Sequence, residues 1–209
     1  MEEAPRTERT LLDWSVAARP MSGQSVSGDL HLVKRFDQRV LVAVIDGVGH
    51  GDEAAAAART AADILENYPG ETTISLFKRC HEALVKTRGV VLTVAILDTV
   101  ESSMTWLGVG NVEGRLFRAD AGASHPRESV LLRGGLVGYQ LPALQASVIP
   151  VAAGDLLILA TDGIHAAFEE GINLNETPRQ IADKILGRHF KGNDDALVLV
   201  ARYPGMQHE

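Results

Sequence analysis

The chain has 209 residues, room for one large domain or two cramped ones at about 150 residues each, and 45% hydrophobic with 22% charged residues describes a chain that buries a core. Twenty lysines and arginines against 27 aspartates and glutamates leave a net charge of −7 with no dense basic run, which argues against nucleic acid as a partner. The single cysteine excludes an internal disulfide, and an acidic, polar start (MEEAPRTERT) with only short apolar runs argues against a secretion signal or membrane span. The expectation is a soluble, cytoplasmic, single domain over residues 1–209, with 1–10 as a polar tail.

Residues 11–18 (LLDWSVAA) read as a first strand, Arg19–Asp29 as a Gly/Ser-rich loop and Leu30–Lys34 as a second strand. The run Arg39–Ile45 (RVLVAVI) is apolar almost throughout, suits a strand covered on both faces, and stops at Asp46. The loop Asp46–Gly51 (DGVGHG) leads into an alanine-rich helix with Asp52 and Glu53 at its start and Pro69-Gly70 at its end. A second helix over Thr73–Thr87 places Ile74, Phe77, Cys80 and Leu84 on one face, which makes Cys80 a buried structural thiol.

Val90–Leu97, Met104–Val109 and Arg115–Arg118 read as a meander, with further strands at Val130–Arg133 and Ala146–Val151. After the Gly154-Asp155 turn, Leu156–Ala160 (LLILA) is another continuous apolar strand, closed by Thr161-Asp162-Gly163. A helix over 178–189 carries Pro178 in its first turn, and the final strand, Ala196–Tyr203, follows Asp194 and Asp195. The strands cluster rather than alternate strictly with helices, so the pattern predicts an α+β layered sandwich.

Three apolar strands therefore carry aspartate at an end: Asp46 and Asp162 after their strands, Asp194 and Asp195 before theirs. Antiparallel pairing of the last strand with the one ending at Asp162 brings those ends to a single rim, and Asp29 can join them. Crowded carboxylates repel and take up protons unless a cation neutralises them. An all-oxygen ligand set selects Mg²⁺ or Mn²⁺ over Zn²⁺, and none of the seven histidines shows zinc-site spacing. Four or five carboxylates suffice for two ions about 3.5–4 Å apart, the arrangement that serves phosphate-ester hydrolysis. Any one Asp-Gly pair alone reads as a turn; only the conjunction points to a site. DGVGHG lacks the Lys-Ser/Thr ending of a P-loop.

Ser27–Asp29 (SGD), DGVGHG, Gly154–Gly163 (GDLLILATDG) and Asn193–Val200 (NDDALVLV), in this order, resemble the metal-dependent protein phosphatases of the PPM (type 2C) family, in particular their bacterial SpoIIE-like branch. The compact length and the approach Arg19–Asp29 look most like that branch's stressosome phosphatases. The resemblance implies a four-layer αββα sandwich, two antiparallel sheets flanked by helices, with two Mn²⁺ or Mg²⁺ ions at one end. It implies hydrolysis of phosphoserine or phosphothreonine by metal-activated attack of water, on phosphorylated stressosome scaffold or antagonist proteins, by a monomer. By position, Asp46 bridges both metals, Gly47 offers its carbonyl to one, Asp162 and Asp194 hold the other, and Asp29 serves the second directly or through water. Asp195 is the alternative to Asp194.

The family pattern is not complete. Leu197 stands where SpoIIE-like relatives usually carry Thr. His50 lies four positions after Asp46, where eukaryotic relatives have an acid His two positions after it, so His50 is either a general acid or a loop residue. Arg19 is the candidate for gripping phosphate. Two other readings remain: a phosphoprotein-binding relative with weak or no turnover, supported by Leu197 and the lack of a secure phosphate-gripping arginine, and a small-molecule phosphohydrolase on the same fold.

Overall fold

Consecutive residues of a strand point to opposite faces, so a strand buried along its whole apolar run must be covered twice, and the runs Val40–Ile45, Leu156–Ala160 and Ala196–Ala201 meet that condition. The computed structural model describes residues 11–120 and 122–205; the polar tail expected over 1–10 lies outside the described residues. In chain order the first elements are β1 (Asp13–Arg19), β2 (Asp29–Phe36), β3 (Arg39–Gly47), α1 (Asp52–Asn67) and α2 (Thr73–Leu84). The middle is all strand: β4 (Val90–Asp98), β5 (Ser103–Val109), β6 (Glu113–Phe117), β7 (Arg127–Ser129), β8 (Leu132–Arg133), β9 (Ser147–Pro150) and β10 (Leu156–Ala160). A 3-10 turn at Ala166–Glu169, α3 (Pro178–His189) and β11 (Ala196–Arg202) complete the described chain.

One sheet runs β1-β11-β10-β6-β7, and the other runs β2-β3-β4-β5-β8 with β9 paired to β5. Val42, Val44, Leu157, Leu159, Leu197 and Leu199 fill the space between the sheets. The alternate residues Leu41, Ala43 and Ile45 pack under α1 and α2, and Ile158, Val198 and Val200 pack under α3 and the 3-10 turn. These are the four layers expected from the sequence. Cys80 is buried in the α1–α2 layer, where burial pushes its thiol up to about 12. Among the described residues, no helix is long and apolar enough to cross a membrane.

The departures are local. The pairing of β5 with β8 is a short parallel step in sheets otherwise antiparallel. The strand expected at Val130–Arg133 is instead a crossing: β7 ends in one sheet, Val130 N–H donates to Gly114 O at 3.0 Å, and β8 begins in the other. The second helix stops at Leu84, three residues early, because Lys86 takes a left-handed φ of 76° and Thr87 turns its N–H and hydroxyl onto Leu84 O at 3.0 and 2.7 Å.

Candidate metal centre

The two sheets present their acidic strand ends on the same side. In the first ladder of that rim Asp29 and Asp46 are direct cross-strand partners, an arrangement of like charges that destabilises a sheet unless something neutralises it. Across the interface, β10 and β11 are antiparallel neighbours, so Asp162, just past β10, shares an end with Asp194 and Asp195, just before β11. A buried hydroxyl joins the two halves: Thr161 Oγ1 donates to Asp29 Oδ2 at 2.8 Å and accepts from Leu197 N–H at 2.8 Å.

Both Asp-Gly steps use glycine for close packing. A Cβ on Gly47 would meet Ala54 O at 2.2 Å, and one on Gly163 would meet Asp195 O at 1.9 Å. Side chains at these positions would hold the start of α1 away from β3, and the end of β10 away from β11. The glycines therefore bring the carboxylates within mutual range.

Electrostatics register that range. Burial, then the neighbouring Asp29, Asp162, Asp194 and Asp195, pushes the Asp46 carboxyl up to about 9. Burial raises Asp29 to about 7 even though the Thr161 hydrogen bond pulls it down. Asp162 is raised by burial and by Asp194, against the pull of Lys191 and Asn111. The donor set is all oxygen, the chemistry of Mg²⁺ or Mn²⁺. The carboxylates are gathered without being drawn to one point: among the described residues, no three His, Cys, Asp or Glu side chains sit close enough to hold an ion.

Asp195 differs from its neighbour. Its two oxygens accept backbone N–H groups of Met21 and Gly28, both at 2.7 Å, so it fastens the Arg19–Asp29 loop to the start of β11. Asp194 Oδ1 accepts the N–H of Asp195, at 2.9 Å. Arg19 ends β1 opposite Ala196 in the register, at the same rim, with its guanidinium 5.3 Å from the centre of the Phe190 ring. His50 is exposed on the loop between β3 and α1. Leu197 lies in the core between the sheets.

Three residues of the site are not singled out by the sequence, and two of them carry no signal there. Besides Thr161, Asn111 Nδ2 donates to Asp162 Oδ2 at 2.7 Å, and Lys191 Nζ donates to Asp162 O at 2.5 Å. Asn111 comes from the β5–β6 turn and Lys191 from the segment after α3, so only the folded chain relates them to Asp162. Thr161 stands inside a recognised motif, and its place beside an acidic strand end was the one available hint. Thr161→Val leaves Leu197 N–H unpaired in the interior, at a cost of about 1–3 kcal/mol. Chemical denaturation is expected to show that loss, and Thr161→Ser to restore most of it.

The sequence profile of Stage II sporulation protein E (SpoIIE) matches residues 37–204, a span that holds Asp46, Asp162 and Asp194. The chain belongs to the SpoIIE family. It is a PP2C-type phosphatase of the SpoIIE-like PPM branch, as its motifs implied. "Phosphoserine phosphatase RsbX" of Bacillus subtilis (strain 168) is 27% identical over 143 residues, 68% of this chain and 70% of that protein. The crystal structure of RsbX in complex with magnesium matches with a TM-score of 0.81 at 22% identity, covering 94% of this chain and 97% of that one. A structure from work on the bacterial stressosome, as a modular system adapted to control secondary messenger signaling, matches with a TM-score of 0.83 at 29% identity, covering 91% and 99%.

Proposed function

We propose that this SpoIIE-family chain is a phosphoserine/phosphothreonine protein phosphatase working with two Mn²⁺ or Mg²⁺ ions. Its substrates are phosphorylated stressosome-type scaffold or antagonist proteins, which it dephosphorylates as a cytoplasmic monomer to reset a stress-signalling switch. The observation that carries the reading is the convergence of Asp29, Asp46, Asp162 and Asp194 on one rim, with Asp46 and Asp29 held well above the ordinary carboxylate range. The stressosome setting rests on likeness to RsbX and to the stressosome-related chain.

Asp46 would bridge both ions and Gly47 lend one its carbonyl; Asp162 and Asp194 would hold the other, and Asp29 would serve the second directly or through water. Asp195 is left out of the set because both its oxygens face backbone N–H groups. Bound there, the ions would activate water and draw charge from the phosphoryl oxygens during in-line displacement. The protein's own groups prepare the rim. Asn111 and Lys191 fix Asp162 from its side chain and its carbonyl, and Thr161 orients Asp29 by donating its proton to Oδ2. Such outer contacts are what aim a carboxylate at a cation.

Arg19, at the same rim, supplies a positive charge for the phosphate. His50, on the exposed loop four residues after Asp46, is the candidate to protonate the departing serine or threonine oxygen; the other reading is a loop residue without a catalytic role, with the proton coming from water. The position of Leu197 in the core weakens the reading of a non-catalytic relative, because the rim's hydroxyl comes from Thr161 instead.

The test is phosphate release from p-nitrophenyl phosphate, phosphoserine and phosphothreonine peptides, and nucleotides, with Mn²⁺ and with EDTA. Release from the aryl ester and the phosphopeptides that needs Mn²⁺ is expected. Turnover that persists in EDTA contradicts the metal mechanism, and turnover of nucleotides alone identifies a small-molecule phosphohydrolase.

A further inference from the structure

The sheet that carries Asp46 is extended at its acidic end by a small hairpin outside the named strands. Val90 and Val137 exchange both backbone hydrogen bonds, each at 2.9 Å. Val90 is also the cross-strand partner of Gly47, so the order across this end is Gly47, Val90, Val137. Leu136 and Gln140 close the hairpin with N–H to carbonyl bonds of 2.9 and 2.8 Å. Its tip is pinned to α2, where Gly138 N–H donates to His81 Nδ1 at 3.0 Å. The seat is tight: a Cβ on Gly138 would lie 2.7 Å from Leu84 Cβ and 3.2 Å from Gly89 Cα.

On this fastened tip Tyr139 is 82% exposed, and Val85, next to Leu84, is 51% exposed. Val48, in the loop after Asp46, is also exposed, and its N–H donates to Gly89 O at 3.2 Å. Between loop and hairpin stands Arg88. Its guanidinium lies against Gly49, where a Cβ would come 2.5 Å from Nη1, and its Nε is held at 2.5 Å by Glu53 of α1. Lys86 is exposed two residues before it. Two cations and three exposed apolar side chains thus form one surface running outward from the acidic rim of a chain whose net charge is −7.

Resting on the phosphatase reading above, we propose that Val48, Val85, Lys86, Arg88 and Tyr139 are the docking surface for the phosphoserine-bearing protein substrate. Tyr139 is the apolar anchor, and Arg88 and Lys86 face the anionic surroundings of the phosphate. An aromatic side chain on an immobilised hairpin loses little freedom on binding, and aromatic and arginine side chains dominate binding energy at protein contacts. Continuity through Gly47, Val90 and Val137 ties the surface to the rim, and Lys86, with Arg88 paired to Glu53 beside it, offers the positive charge that meets an anionic occupant. Tyr139 stands on the hairpin and Val85 after the end of α2, neither in a segment that carries a rim aspartate.

The decisive comparison is Tyr139→Ser and Val85→Ser against the unaltered chain, with Mn²⁺, on p-nitrophenyl phosphate and on phosphocasein, beside light scattering for oligomeric state. The expected result is kcat/KM on the aryl ester within about twofold of the parent, with kcat/KM on phosphocasein falling about tenfold or more through KM. Arg88→Ala is expected to weaken the salt dependence of the phosphocasein KM. Unchanged phosphocasein kinetics in both Ser variants would overturn the proposal. So would a parent dimer that they convert to monomer, since the patch would then cover a second copy. A parent that cleaves the aryl ester but no phosphoserine substrate removes the phosphatase reading itself, a failure distinct from that of the surface.

Discussion

Asp46→Asn is expected to abolish function while making the metal-free protein more stable. Asp46 faces Asp29 across a ladder and feels three further carboxylates, and burial with that crowding pushes it up to about 9. Asn keeps the shape and spares the folded chain the cost of protonating that carboxyl or burying its charge. In EDTA at pH 8 the variant is expected to melt about 2–8 °C above the parent, the shift that relief of one or two kcal/mol gives in a domain of this size. With Mn²⁺ the order reverses, because ligand binding to the folded state stabilises only the chain that can bind. Loss of outer contacts to a metal ligand already costs about 10–100-fold, so loss of the carboxylate proposed to bridge the ions is expected to lower Mn²⁺-dependent hydrolysis by more than about 100-fold. Parallel melting and kinetic series check both halves. A variant less stable than the parent in EDTA would contradict the repulsion from which the metal requirement is argued.

The second large effect is on pH. Asp29 and Asp46 titrate near 7 and 9 in the folded chain but near the ordinary 3.8 when unfolded, so between those values the folded state holds protons that the unfolded state has released. Their contribution to stability is complete below pH 4 and is lost as pH rises through 7 and then 9. In EDTA the unfolding free energy is therefore expected to fall between pH 5 and pH 9, by up to about 1.4 kcal/mol per pH unit for each group still holding its proton, and the melting temperature with it. Saturating Mn²⁺ is expected to remove or reverse this slope, since carboxylates bind cations only when deprotonated. A melting temperature that climbs from pH 5 to pH 9 in EDTA would mean that the two carboxyls are solvated and ordinary.

Much of the fold and of the rim is legible in the chain itself, for a physical reason. Arg39–Ile45, Leu156–Ala160 and Ala196–Tyr203 are apolar at nearly every position, which requires cover on both faces; the four-layer arrangement itself comes with the family resemblance. An aspartate that closes such a run must stand at a sheet edge. Those two facts are enough to place Asp46, Asp162 and Asp194. The 3-10 turn at Ala166–Glu169 and the crossing at Val130 are not legible, because neither has a periodicity long enough to read. The partners of Asp162 are hidden for a different reason: Asn111 and Lys191 are ordinary turn and loop residues until β5, β6 and the end of α3 come to the same rim. The two aspartates of Asp194-Asp195 look interchangeable by spacing. Their difference lies in the backbone N–H groups of Met21 and Gly28, more than 160 residues away in the chain.

The central claim is that these strand-end carboxylates jointly hold divalent cations. Anomalous diffraction from crystals soaked in Mn²⁺ tests it most directly. The account predicts density at the rim contacted by Asp46, Asp162 and Asp194, lost in Asp46→Asn. Manganese bound elsewhere on the surface, with that rim holding only water at saturating concentrations, would contradict it.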